Sequence, residues 1–272
     1  MPMSEWRPRS LAPSFGVELS LDLAQVGPEE ARDLLIALRR FKLILVRGQA
    51  LEEPAYVRLG ERLGRLWTVD EELRGNAEAP HAVGAHTEIA RVSNKGGMLQ
   101  DRPVDWHGDL AHHPSRPYPG RILHARAMPS DAVTVTSWVD LEHGWNFRLS
   151  DEDRGLVTGK EGEFRAGYET FWGTTRHEVV RRHPARGANW LGIDRAFFRG
   201  FVGMDAHASA RLKKRLLSRV IVGSAMYRHT WQEGDTIIYD NEGTMHRRER
   251  VWSSQERTIW RLTLEYAWAA VA

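Results

Sequence analysis

The apolar positions of this chain change period along its length. Ala31, Leu34, Leu35 and Leu38 recur at helical spacing behind Gly27-Pro28-Glu29-Glu30, where Pro and acids suit a helix start, so an amphipathic helix is expected. Phe41 to Val46 is short, partly β-branched and closed by Arg47-Gly48, which predicts a buried strand. A second helix is predicted over about 52 to 64, with Tyr56, Leu59 and Leu63 apolar and Gly64 at its end. From about 65 to 105 the chain is polar and irregular, and reads as a long surface or active-site loop. Strand-like runs then alternate with turn residues at Arg121 to Ala125, Ala132 to Val139, Thr236 to Tyr239 and Thr258 to Tyr266, interrupted by a helical stretch at Asp205 to Val220. The pattern predicts an α+β chain built on an antiparallel barrel or jelly roll.

Composition sets limits on this picture. The 272 residues, 42% of them hydrophobic, suffice for one domain over 1–272, with the Pro-rich residues 1–14 as a loose arm that joins the fold near Phe15-Gly16. Lys plus Arg number 38 against 36 for Asp plus Glu, a balance that does not indicate nucleic acid as a partner. The absence of cysteine excludes disulfides, thiolate zinc sites, iron-sulfur clusters and cysteine nucleophiles, so any metal must sit on His, Asp or Glu. No apolar run approaches the roughly 18 residues that span a bilayer, and the start lacks a signal-like apolar segment. The expectation is a cytoplasmic protein with a small-molecule substrate and no membrane partner; homo-oligomerisation stays open.

With 12 histidines and 36 acids, an H-x-[DE] pattern should arise by chance roughly once or twice. Two are present, His86-Thr87-Glu88 and His107-Gly108-Asp109. The second precedes the strand-rich region, while His246 follows Gly234-Asp235-Thr236-Ile237-Ile238-Tyr239-Asp240-Asn241 near the other end of the chain. Two ligands from one strand end plus a distant His would leave three adjacent positions open on an octahedral iron. The competing reading makes His107 and Asp109 a loop hydrogen bond and His246 a surface residue. In the last strand Arg257, Ile259 and Arg261 share one face, and Thr258, Trp260, Leu262 and Leu264 take the other. Either the first face is exposed, or two guanidiniums point inward and need anionic partners. In the second case Arg257 is a fork for a carboxylate.

These residues resemble the taurine dioxygenase-like (TauD/TfdA) family of Fe(II)/2-oxoglutarate-dependent dioxygenases. Leu45-Val46-Arg47-Gly48-Gln49-Ala50-Leu51 is similar to its early strand and turn, and Trp106-His107-Gly108-Asp109 to its W-H-x-D iron motif. Trp231 to Asp235, Asp240-Asn241 and His246 resemble its second iron motif. The resemblance implies a double-stranded β-helix (jelly-roll) with flanking N-terminal helices and an insert between barrel strands. It implies Fe(2+) on His107, Asp109 and His246, with 2-oxoglutarate and O2 as co-substrates. Arg257 stands where the family binds the far carboxylate of 2-oxoglutarate, and Arg261 where an Arg often meets an anionic substrate. The family's Gly-Gly-Asp-Thr is replaced by Val133-Thr134-Val135-Thr136, and alignment through Ser137-Trp138-Val139-Asp140 gives the co-substrate role to Thr136 rather than Thr134. Asp109 argues against halogenation, because halogenases of this superfamily carry a small residue there. Tyr227 to Asp235 and Met245 to Glu249 also resemble carbapenem synthase and related natural-product members.

Two rivals remain: a cupin-like barrel that binds a small ligand without redox chemistry, and a zinc hydrolase on the same triad. Arg261 lies about 13 Å along the strand from Arg257, so it is expected to meet a substrate anion or an internal partner such as Glu78 or Glu88. His112 and His113 are expected to face solvent rather than line a pocket. His229 and Trp231 read as pocket or core, and His183 and His177 as turn residues. Tyr168, Phe171 and Trp172 read as packing at the barrel mouth in preference to a lid.

Overall fold

The helix expected behind Gly27 runs over Pro28–Phe41, with Pro in its first turn and Glu30 accepting a 3.1 Å hydrogen bond from the Gly27 N–H. It ends as Lys42 turns left-handed at φ 64°, and the chain enters the strand Leu43–Val46. The second helix is Glu53–Leu63. This computed structural model describes residues 3–73, 82–95, 103–115, 118–166, 173–221 and 225–271.

Two sheets position the site. The larger has the strand order Arg9–Ala12, Phe15–Glu18, Leu43–Val46, Thr236–Tyr239, Gly120–Ala127, Thr258–Tyr266, His86–Ser93, Ala82–Val83, with Gly64–Leu66 paired to the end of Thr258–Tyr266. The smaller has the order Met226–Thr230, Val135–Asp140, Thr244–Arg248, Val104–His107. Helices Pro28–Phe41 and Glu53–Leu63 cover one face of the large sheet, where Leu34, Leu38, Tyr56 and Leu59 pack with Ile122, Ile238, Trp260, Leu262 and Leu264. The opposite face meets the small sheet through Leu43, Leu45, Ile237, Tyr239 and Ile259 against Trp138. Beyond the small sheet, Met245 and Val139 pack under the helix Ala206–Val220 and a three-stranded sheet carrying Phe164 and Phe198. The result is a mixed fold of mostly strands with six α-helices among the described residues. No helix of the described residues is long and apolar enough to cross a membrane.

Three expectations change. The N-terminal segment is not loose: Trp6 is 1% exposed, and Arg9–Ala12 pairs antiparallel with Phe15–Glu18. Burial of one large indole outweighs the Arg and Pro around it. Within the expected loop over 65–105 lie the short helix Val69–Leu73 and the strand His86–Ser93, which pairs with Thr258–Tyr266. That strand has Ile89, Ala90 and Val92 as its only apolar positions, too few to mark its period from sequence. His112 and His113 are buried, the first against Phe197 and the second against Trp67, rather than facing solvent.

Candidate metal centre and carboxylate pocket

His107 ends the strand Val104–His107 and lies directly across the ladder from His246 on Thr244–Arg248. Their rings are 4.1 Å apart between centroids. Asp109 follows two residues after His107, in a turn held from outside: Asn241 Oδ1 accepts from the Asp109 N–H at 3.0 Å, and Asn241 Nδ2 donates to the Asp109 carbonyl at 2.8 Å. The Asp240-Asn241 pair noted in the sequence thus fixes the backbone of a prospective ligand. Gly108 between the ligands is required by space, since a Cβ there would come within 2.5 Å of the Tyr118 ring.

One ligating atom from each of His107, Asp109 and His246 lies within 4.8 Å of the others. His107 Nδ1 is 2.7 Å from the Asp105 carbonyl, so the N–H sits there and Nε2 keeps its lone pair for a metal. Asp109 Oδ2 accepts from Arg121 Nε and from the Tyr239 hydroxyl, both at 2.9 Å. Oδ1 is 3.5 Å from His107 Nε2 and is the oxygen on offer. Burial works against the Asp109 carboxylate, but Arg121, then His246 and His107, hold its pKa well below the usual range. Burial, then His107, pushes His246 down to about 3, so its imidazole is neutral. Burial works against a charged His107 ring, but Asp109 and the Asp105 carbonyl raise its pKa, so a cation at Nε2 would take the place of a proton there. Two imidazole nitrogens and one carboxylate oxygen fit a divalent metal with open positions on one side.

A cavity of about 70 Å³ opens on the triad, lined by Thr136, Tyr239, Arg248, Arg257, Ile259 and Arg261 among others. Arg257 is 3% exposed, and its Nε and one Nη find no hydrogen-bond partner among the described residues. Burial, then the Arg248 charge, pushes its pKa down to about 9. A buried cation in this condition calls for an anion. Thr136 lines the same cavity, with its Oγ1 accepting from Trp231 Nε1 at 2.9 Å, whereas Thr134 offers its carbonyl to the Trp231 N–H.

Arg261 differs. Its guanidinium donates to Glu72, which also takes the Thr263 hydroxyl at 2.6 Å and lies 3.2 Å from Arg121. The internal partner is therefore Glu72, on the helix Val69–Leu73, and Glu88 is not it; Glu78 lies outside the described residues. The requirement for a substrate anion at Arg261 loses its premise. His86 and Glu88 sit on the strand His86–Ser93 and not in the cluster. His229 is buried core, 2.9 Å from Asp235, and His183 caps its turn by accepting from the Ala185 and Arg186 amides. Tyr168, Phe171 and Trp172 lie outside the described residues. Sequence reasoning missed Glu72, Arg121, Tyr239 and Arg248. Only Arg248 had a usable signal, its period-2 spacing from His246.

Residues 8–263 match the family described as taurine catabolism dioxygenase TauD, TfdA family. The chain is 25% identical to pentalenolactone F synthase from Streptomyces arenae over 277 residues, 90% of this chain and 88% of that one. It is 23% identical to an (S)-phenoxypropionate/alpha-ketoglutarate-dioxygenase from Delftia acidovorans over 80% of each. In fold it is similar to a taurine dioxygenase from Burkholderia xenovorans, with a TM-score of 0.79, 24% identity, and coverage of 95% of this chain and 90% of that one.

Proposed function

The chain belongs to the TauD/TfdA family and is an Fe(II)- and 2-oxoglutarate-dependent dioxygenase, and on that premise we propose that it oxidises a C–H bond of a small molecule beside His107, Asp109 and His246. The observation that carries the assignment is Arg257, a buried guanidinium in the cavity that opens on the triad, two of whose nitrogens find no hydrogen-bond partner among the described residues. A cupin-like binder or a zinc hydrolase gives that group nothing to do. The two facing sheets with an apolar layer between them support a double-stranded β-helix.

When bound, iron and 2-oxoglutarate supply the oxidising chemistry, with O2 consumed and succinate and CO2 released. The protein holds the parts in place. His107, Asp109 and His246 would hold the metal, and Arg121 and Tyr239 occupy Asp109 Oδ2, which keeps the carboxylate ionised and would leave Oδ1 for the ion. Arg257 and Thr136 receive the far carboxylate of 2-oxoglutarate, while Ile259, Leu123 and Val92 keep the cleft apolar around it. The likeness to pentalenolactone F synthase favours a place in specialised metabolism, through hydroxylation, desaturation or a related step. An anionic substrate is no longer demanded by Arg261, which Glu72 neutralises.

Protein loaded with Fe(II) without oxygen should develop a weak visible charge-transfer band when 2-oxoglutarate is added, and absence of the band at full iron content would falsify the site assignment. His107→Ala, Asp109→Ala and His246→Ala should each abolish succinate formation and lower metal content while circular dichroism stays native. The sheets and helices supply the burial in a chain of this size. Any one that keeps wild-type turnover is not a ligand.

A further inference from the structure

The strand that carries His246 brings a second charge into the cavity. Side chains alternate along Thr244–Arg248, so Met245 and Arg247 face away: Met245 joins the core under the helix Ala206–Val220, and Arg247 lies over the Trp106 ring at 5.0 Å. His246 and Arg248 take the other face, and both line the cavity. Across the ladder the register partner of Arg248 is Thr136, which lines the same wall. Arg248 is 7% exposed and Arg257 3%, so two buried guanidiniums share one small cleft.

Like charges in a cleft of low polarity repel. The repulsion is registered on Arg257, whose affinity for its proton falls through burial first and Arg248 second. A single carboxylate between two guanidiniums on one cavity wall offers about four acceptor positions on its two oxygens and can take a donor from each side. The Nε and Nη of Arg257 that find no partner among the described residues supply the donors on one side.

We propose that Arg248 is a second positioning residue for the far carboxylate of 2-oxoglutarate, which is gripped between the strand of His246 and the segment that begins the last strand. This rests on the assignment of Arg257 to that carboxylate. It makes the co-substrate site a three-sided clamp of Arg248, Arg257 and Thr136. It also ties the far end of the co-substrate to the strand that holds one metal ligand.

The test is equilibrium binding to the Mn(II)-loaded protein without oxygen, using 2-oxoglutarate and 2-oxovalerate, a five-carbon 2-oxo acid with a methyl group in place of the far carboxylate. The readout is the ratio of the two affinities within one preparation, which does not depend on the fraction of protein folded or loaded. In Arg248→Met the ratio should fall about ten- to a hundredfold, through weaker 2-oxoglutarate binding with 2-oxovalerate unchanged. Arg248→Lys should recover part of the loss by restoring charge without the fork. A ratio within twofold of wild type in both variants overturns the proposal. So does an unchanged ratio with a raised KM for the oxidised substrate, which would place Arg248 on that substrate. If Arg257→Met leaves the ratio intact while Arg248→Met lowers it, the underlying assignment of Arg257 fails and Arg248 alone holds the carboxylate.

Discussion

Arg257, just before the last strand, and Arg261, within it, line one cavity four residues apart and both buried, yet their surroundings differ. Arg261 meets Glu72 from a short helix on another part of the chain, and Glu72 also serves Arg121 and Thr263. Arg257 meets an open cavity and the like charge of Arg248. Two guanidiniums at the same depth are therefore placed differently: one closes an ion network behind Asp109, and the other faces the cavity beside the triad. What separates them is the element that crosses above each, so alternation along a strand identifies inward residues without telling binding groups from structural ones.

The sharpest way to break this contrast is Glu72→Gln. It leaves Arg261 and Arg121 short of a buried anion and should cost about 3–5 kcal/mol in urea unfolding, with Arg261→Met moving the same measurement less. If Glu72→Gln unfolds like wild type, the network is not structural and Arg261 returns as a substrate contact. Next in size, Arg257→Met should raise the 2-oxoglutarate concentration for half-maximal succinate formation by about one to two decades, the loss of a charge-assisted pair worth roughly 1.5–3 kcal/mol. Its unfolding midpoint should hold or rise, because a buried cation with no anionic partner among the described residues is removed. A large loss of stability would make the two arginines alike. The smallest effect should come from Thr136→Val, about tenfold on the same titration for one hydroxyl hydrogen bond to the carboxylate, at the low end of the roughly 1.5–3 kcal/mol for bonds to a charged group, with Thr134→Val smaller still. The reverse order would move the co-substrate contact to Thr134.

Much of this arrangement could be read from the chain. The period of the last strand separated Trp260, Leu262 and Leu264, which pack under the helices, from Arg257, Ile259 and Arg261, which line the cavity. The spacing of His107, Asp109 and His246 named the cluster that the fold brings together. Glu72 was not legible, because it sits 189 positions from Arg261 in a five-residue helix inside a polar stretch, where neither period nor motif marks it. Arg121 was hidden for the same reason: it opens a plausible strand, and only the folded chain sets its side chain between Asp109 and Glu72.

The clasp of Asn241 on the backbone of Asp109 has a consequence for chemical rescue. Because the amide and carbonyl of that residue are both held from another segment, truncating its side chain should leave the turn where it is. Arg121 and the Tyr239 hydroxyl would then face a notch the size of a lost carboxylate. Formate added to Asp109→Ala should occupy that notch and restore a fraction of the lost metal binding, saturating with formate concentration, whereas the same addition to His246→Ala should restore none.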